Sequence, residues 1–95
     1  MSHPDDAAFR QAALKQAFEQ AATDIHALAE RPNNETLLRL YGLYKQGAEG
    51  DVSGAKPGFF DFVGTAKYEA WAKLKGGDQQ EAMQQYVDLV RKLRS

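Results

Sequence analysis

Three tyrosines and two lysines have side chains and a spacing along this chain that could form a ligand-binding patch. Tyr41 and Lys45 are four residues apart, so on a helix their phenol and ammonium groups point towards one place. Tyr44 shares that face, and Lys67 and Tyr86 occur on later segments beside other aromatic and apolar residues. Such a patch suits a ligand with a phosphate and a ring, because lysine pairs with phosphate and bases stack on aromatic side chains.

The same spacing is also typical of a structural role, and by itself it favours that role. Tyrosines on an apolar helix stripe are usually core residues whose hydroxyl lies at the edge of the core. Lysines are usually solvated, with their stems lying along apolar surface. Spacing alone therefore leaves both interpretations open.

No set of residues suited to catalysis is evident in the sequence. The chain has no cysteine, and Ser2, Ser53 and Ser95 lie in termini or a loop without a histidine–acid partner. His26 and Glu30 are spaced to share a metal, but a third ligand is not evident. The glycine-rich segment 50–58 lacks a following Gly-Lys-Ser/Thr and a preceding strand. We therefore predict a binding protein with no enzymatic activity, no metal and no cofactor.

Length and composition predict one domain. The 95 residues are 43% hydrophobic, which is typical of a folded globular chain. The net charge of −1 argues against general nucleic-acid binding, which requires a basic surface. Neither a signal-peptide pattern nor an apolar run of about 18 residues is present, so we expect a cytoplasmic protein without stable membrane insertion. We also expect a monomer.

Prolines and glycines divide the chain into four helical patterns, at about residues 5–30, 34–47, 65–75 and 78–94. Asn33 or Asn34 can cap the second helix, and Asp78 with Glu81 resembles a capping box for the fourth. The connection from Gly50 to Gly64 is long, which allows helices two and three to run parallel. We expect this connection to be held against the bundle by burial of three aromatic rings, those of Phe59, Phe60 and Phe62.

The order of these motifs along the chain resembles the acyl-CoA-binding protein family. The resemblance rests on Tyr41-Gly-Leu-Tyr-Lys-Gln46, Gly50-Asp51, Lys56-Pro-Gly58, the run from Asp61 to Gly76, Glu81-Ala-Met83 and Tyr86-Val87. It extends without a gap from about Phe18 to the C-terminus. It implies an all-α fold, a four-helix up-down-down-up bundle with a long crossover between helices two and three. Residues 1–95 then form a single acyl-CoA-binding domain, in which residues 1–17 are an N-terminal extension that lengthens helix one.

The resemblance also implies a ligand and a division of roles. It implies intracellular binding, buffering and transport of medium- to long-chain fatty acyl-CoA thioesters, without catalysis. Tyr41, Lys45 and Lys67 match the residues that hold the ribose 3′-phosphate, and Tyr44 and Tyr86 match those that help enclose the adenine and the rest of the head group. The acyl chain is expected near the positions Ala21, Ala22, Leu37 and Leu40.

Two departures from the common family pattern concern the head group. His26 stands where the family often has a basic residue, so binding is expected to strengthen as the pH falls and the imidazole becomes charged. Val63 stands in place of a frequent lysine, which removes one phosphate contact. Two other functions compete with a carrier: a helical protein-interaction module that has lost the ligand, and an acyl-CoA hydrolase. Lys45, Lys67 and Tyr86 together favour the carrier, and the hydrolase lacks a nucleophile.

Overall fold

Four α-helices make up the bundle in the computed structural model, which describes residues 6–95. They are α1 (Asp6–Asp24), α2 (Asn34–Glu49), α3 (Phe62–Ala72) and α4 (Gln79–Arg94). A short 3₁₀ turn, Ile25–Ala27, follows α1. The part of the predicted N-terminal extension that precedes Asp6 lies outside the described residues.

Each of the last three helices begins at a side chain that accepts a backbone N–H. Asn33 accepts from Thr36 at 2.8 Å, Asp61 from Gly64 at 2.9 Å, and Asp78 from Glu81 at 3.0 Å. Such caps satisfy donors that the first helical turn leaves unpaired. The predicted starts of the second and fourth helices are thereby confirmed. At the other end of α2, Gly50 has a φ of 84°, which residues with a side chain rarely adopt, and its N–H donates to the Gln46 carbonyl at 3.0 Å.

The predicted bounds of helices one and three were wrong. Helix one ends at Asp24 rather than near Glu30, since the residues after Ile25 are largely exposed and offer no packing to stabilise further turns. Helix three begins at Phe62 rather than Thr65, because Asp61 caps it three residues earlier than expected. It ends at Ala72, after which Leu74 N–H bonds to the Trp71 carbonyl in a tighter turn.

Contacts between the helices give their directions. Phe18 meets Tyr86 while Asp24 pairs with Arg94, so α1 and α4 run parallel. The ammonium of Lys67 lies over the Tyr41 ring while that of Lys45 lies over the Trp71 ring, so α2 and α3 also run parallel. A Cβ on Gly47 would touch Met83 whereas the earlier Tyr44 meets the later Tyr86, so α2 and α4 run antiparallel. The up-down-down-up order and the crossover between α2 and α3 are confirmed.

The core lies between α1, α2 and α4. Its most completely buried apolar side chains are Leu43, Val87 and Val90. The indole of Trp71, also buried, donates from Nε1 to the Gly50 carbonyl at 2.7 Å and so ties α3 to the end of α2. The core therefore joins α1, α2 and α4, and α3 is attached to it chiefly through α2.

A polar cluster closes the end of the bundle at which α2 stops. The buried Gln46 donates from Nε2 to Gly77 O at 2.8 Å and to Asp51 Oδ1 at 3.0 Å. The same Asp51 oxygen accepts the backbone N–H of Gly76 at 2.8 Å. The cluster thus joins the start of the crossover to the turn between α3 and α4.

We expect this cluster to make the stability of the fold depend on pH. The hydrogen bond from Gln46, followed by that from the Gly76 backbone, lowers the pKa of the Asp51 carboxyl. A folded-state pKa below the unfolded value stabilises the fold above about pH 3.9, and that stability is lost as the pH falls through the folded value. Urea unfolding should show wild type more stable than Asp51→Asn at neutral pH, with the gap closing in acid. A gap that stays constant with pH contradicts this.

The expectation that Phe59, Phe60 and Phe62 are buried was wrong. Their side chains are 85%, 82% and 71% exposed, respectively. Phe59 and Phe60 contact each other edge to face, with ring centroids 5.1 Å apart. Hydrogen bonds of Gln46, Asp51 and Trp71 hold the start of the crossover instead, and the aromatic residues near its end remain on the surface.

Candidate functional site

Two lysines and two aromatic rings interlock between α2 and α3. Lys67 Nζ lies 5.4 Å from the centroid of the Tyr41 ring, and Lys45 Nζ lies 4.8 Å from the centroid of the Trp71 ring. Tyr41 and Lys45 are one turn apart on α2, as are Lys67 and Trp71 on α3. We call these four residues the cation–aromatic quartet. It holds two ammonium groups on one surface, each supported by the face of a ring.

A glycine permits this close approach of the two helices. A Cβ on Gly42 would lie 2.6 Å from the Ala70 carbonyl oxygen and 3.0 Å from its carbon. Contacts this short with backbone do not occur, so any larger residue must push α3 away. Gly42 immediately follows Tyr41, and Ala70 immediately precedes Trp71. The absence of a side chain at position 42 therefore sets the spacing of the quartet.

Lys45 has an acidic neighbour on its own helix. The carboxylate of Glu49, four residues later, accepts a hydrogen bond from the Lys45 ammonium group. This bond raises the pKa of Lys45. Lys45 is therefore fully charged at neutral pH, but part of its charge is already balanced by Glu49.

Three aromatic rings from three helices meet beside the quartet. Phe18 of α1 lies 5.2 Å from Tyr44 of α2 and 5.3 Å from Tyr86 of α4, measured between ring centroids. Tyr44 and Tyr86 are 5.8 Å apart at nearly a right angle. We call these residues the aromatic triad. Tyr44 is 38% exposed and Tyr86 only 4%, so the triad offers one accessible ring on a buried base.

The environment of Tyr86 keeps its hydroxyl protonated. Burial, and secondarily the nearby Tyr44, raises the pKa of this phenol. A protonated phenol both donates and accepts hydrogen bonds. Tyr86 is therefore available as a neutral donor at any pH near neutrality.

The structure brings most of the sequence-predicted polar residues together. Tyr41, Lys45 and Lys67 belong to the quartet, and Tyr44 and Tyr86 to the triad, which adjoin each other along α2. Sequence reasoning did not assign three neighbours to the site: Trp71, Glu49 and Phe18. The spacing of Lys67 with Trp71 and of Lys45 with Glu49 contained a signal for the first two.

The predicted apolar residues lie in the core or against it, whereas His26 lies on the surface. Leu40 and Ala21 are buried in the core at 4% and 5% exposure, and Leu37 and Ala22 are half-buried and pack against that core. His26 is exposed in the 3₁₀ turn, and its side chain takes no part in the ring and ammonium contacts of the quartet or the triad. The contacts therefore do not join His26 to the quartet or the triad.

A separate groove of about 520 Å³ lies on another face of α2 and α3. Its lining includes Leu38, Arg39, Ala66 and Lys73, none of which belongs to the quartet or the triad. In the described part of the chain, no group of three or more histidine, cysteine or acidic residues is placed to hold a metal ion. No helix between residues 6 and 95 is long and apolar enough to cross a membrane.

Known proteins are similar to this chain in sequence and in fold. A rat protein named enoyl-CoA delta isomerase 2 is 48% identical over 83 residues, which are 87% of this chain but only 21% of that protein. The Arabidopsis thaliana acyl-CoA-binding domain-containing protein 6 is 44% identical over 80 residues, covering 84% of this chain and 87% of its own length. The crystal structure of rice acyl-CoA-binding protein 2 superposes with a TM-score of 0.85 at 35% identity, covering 90% of this chain and 92% of that one.

The family model described as acyl CoA binding protein matches residues 15–90, which contain all of the quartet and the triad. Because that match spans most of the chain and the fold agrees with a solved member, this chain belongs to the acyl-CoA-binding protein family.

Proposed function

We propose that this protein reversibly binds medium- to long-chain fatty acyl-CoA thioesters and that it buffers and carries them without catalysing a reaction. The observation that supports this most directly is the quartet, which holds two ammonium groups beside the partly exposed ring of Tyr44. A CoA head group has the matching chemistry: phosphates for the lysines and an adenine ring for stacking.

The proposal assigns roles to the described residues. Lys45, Lys67 and the Tyr41 hydroxyl bind the 3′-phosphate, and the exposed Tyr44 ring, supported by Tyr86, flanks the adenine. The acyl chain lies against the half-buried Ala22 and Leu37, above the core residues Ala21 and Leu40. Each methylene removed from water contributes about 0.8 kcal/mol, so affinity rises with chain length until the apolar surface is covered.

We further propose that the protein acts as a monomer in the cytoplasm. The absence of cysteine from the sequence is compatible with a reducing compartment. The rat isomerase, a similar relative that is named for an enzyme, extends far beyond the match, so that name carries no activity over to this chain.

The rival function is a protein-interaction module on the same scaffold. A module that no longer bound acyl-CoA would have no need to keep both lysines stacked on aromatic rings. Here Lys45 and Lys67 both retain such contacts. This arrangement favours the carrier.

Isothermal titration calorimetry with palmitoyl-CoA, free CoA and palmitate tests the proposal. A carrier binds palmitoyl-CoA saturably and tightly, and it binds the two fragments much more weakly, because each fragment meets only part of the site. Absence of saturable palmitoyl-CoA binding excludes the carrier function.

Replacing Glu49 with glutamine is expected to tighten palmitoyl-CoA binding by about twofold to fivefold. The Glu49 carboxylate competes with a ligand phosphate for Lys45 and repels it, and exposed ion pairs of this kind are worth about 0.2–1 kcal/mol. Titration calorimetry on wild type and Glu49→Gln measures the difference.

The matched control is Glu69→Gln. It removes the same charge from α3, where Glu69 pairs with Lys56 at 3.4 Å rather than with a residue of the quartet. We expect its affinity to change less than that of Glu49→Gln. An unchanged or weaker affinity in Glu49→Gln argues against competition at Lys45.

A further inference from the structure

The indole of Trp71 is fixed between the end of α2 and the side chain of Lys45. It is 6% exposed, and its Nε1–H donates to the Gly50 carbonyl at 2.7 Å. The Gly50 N–H in turn donates to the Gln46 carbonyl at 3.0 Å, which fixes the residue that carries the acceptor. A buried ring whose one polar group is bonded has few alternative orientations. The ring face that meets the Lys45 ammonium group is therefore a rigid part of the fold.

Two groups compete for Lys45 in the ligand-free protein. The carboxylate of Glu49, one turn later on α2, accepts a hydrogen bond from the ammonium group. The ring of Trp71 lies on α3, with its centroid 4.8 Å from Lys45 Nζ. The Glu49 side chain is 52% exposed, so water and salt screen its attraction for the ammonium group. Of the two contacts, the one with the buried indole is the less mobile.

The two lysines of the quartet differ in how they are held. Lys67 is exposed and lies over the half-buried ring of Tyr41. The Lys45 side chain is only 25% exposed and is shared between a ring on the facing helix and a carboxylate on its own helix. The position of the Lys45 ammonium group therefore depends on the balance between Trp71 and Glu49.

We infer that Trp71 is a positioning residue, which keeps the Lys45 ammonium group on the shared surface of α2 and α3 instead of leaving it to pair with Glu49 alone. The inference rests on the proposed function in one respect, because that surface affects affinity only if it receives a phosphate-bearing head group. A lysine restricted before binding has less side-chain freedom to lose when the ligand arrives. Trp71 thus acts through Lys45 and needs no contact of its own with the ligand.

Fluorination of the Trp71 ring tests the inference without emptying a buried site. Fluorine withdraws electron density from the ring face and weakens its attraction for a cation, whereas the Nε1–H donor and the shape of the indole are nearly retained. The sequence contains one tryptophan, so fluorotryptophan incorporated during expression changes position 71 alone. We expect the affinity for palmitoyl-CoA to fall stepwise from tryptophan through monofluoro- to trifluorotryptophan, to about threefold below wild type. An affinity that does not change with fluorination, or that rises with it, overturns the inference.

Three variants of the fluorinated protein separate positioning from packing. Lys45→Met removes the cation, so fluorination should leave the affinity of this variant unchanged. Lys67→Met is its matched control and should retain the full dependence on fluorine, because Lys67 lies over Tyr41. Glu49→Gln removes the competing charge, so fluorination should lower its affinity by a smaller factor than in wild type. Equal losses in every background show that fluorine only disturbs the packing of a buried ring, and the positioning role then fails.

Nuclear magnetic resonance of the ligand-free protein reports the contact itself. The ring current of Trp71 should shift the ε-methylene protons of Lys45 upfield from those of the exposed Lys73. Absence of this shift overturns the inference, whatever the protein binds. The same readout separates the two proposals. A shifted Lys45 in a protein that does not bind palmitoyl-CoA defeats the carrier but leaves the positioning of Lys45 intact, and tight binding without dependence on fluorine does the reverse.

Discussion

Replacing Lys67 with alanine is expected to weaken palmitoyl-CoA binding by at least about 1.5 kcal/mol, or roughly tenfold, the scale of one charge-assisted hydrogen bond. Lys67 is exposed, so its removal leaves the core intact, yet its ammonium group lies over the Tyr41 ring. Loss of the side chain removes one of the two cations of the quartet. Titration calorimetry measures the change in affinity, and equal circular dichroism spectra confirm an unchanged fold.

Lys73→Ala provides the control for charge. Lys73 caps the same helix but lines the separate groove on another face of α2 and α3. Lys73→Ala removes the same charge and should leave the affinity for palmitoyl-CoA within about twofold of wild type, since exposed charges at a distance are screened. If Lys67→Ala binds like wild type, or if both variants lose affinity alike, Lys67 has no specific place in the site.

Replacing Gly42 with alanine is expected to destabilise the fold by about 1–3 kcal/mol. The new Cβ would lie 2.6 Å from the Ala70 carbonyl oxygen, which is a backbone atom that cannot rotate away. Relief requires α2 and α3 to separate, and this outweighs the gain of about 1 kcal/mol that alanine brings to a helix interior. Urea unfolding followed by circular dichroism measures the loss.

Gly58→Ala is the corresponding control for stability. A Cβ there has no atom within 4 Å, and its φ lies outside the left-handed region. We expect a change within about 0.5 kcal/mol, as for surface substitutions in general. A stable Gly42→Ala variant with unaltered ligand affinity would show that α2 and α3 do not depend on this contact for their spacing.

These two predictions share one physical cause, the preorganisation of the quartet. Each ammonium group is held by an aromatic ring on the facing helix before any ligand is present. Less side-chain freedom then remains to be lost on binding, which improves affinity without adding contacts. Lys67→Ala removes a member of this arrangement, and Gly42→Ala disturbs the distance between the helices that create it.

The sequence by itself determined the helical architecture and indicated the polar residues of the candidate site. The pattern indicated Asp78 as one cap and either Asn33 or Asn34 as the other, because capping depends on side-chain chemistry within a few residues of the helix start, and the structure shows that Asn33 is the cap. The length of the crossover allowed α2 and α3 to run parallel, and the family resemblance implied that they do. The ordered motifs from Tyr41 to Tyr86 identified the family and its candidate head-group residues.

Only the tertiary structure decided which side chains meet and which remain exposed. It paired Lys67 with Tyr41 and Lys45 with Trp71, and it showed Leu40 inside the core. It also reversed the expected burial of Phe59 and Phe60. The physical reason is that a periodic pattern reports the apolar face of one helix, whereas burial depends on whether another element covers it. No described element covers Phe59 or Phe60, and the hydrogen bonds of Gln46, Asp51 and Trp71 hold only the start of the crossover.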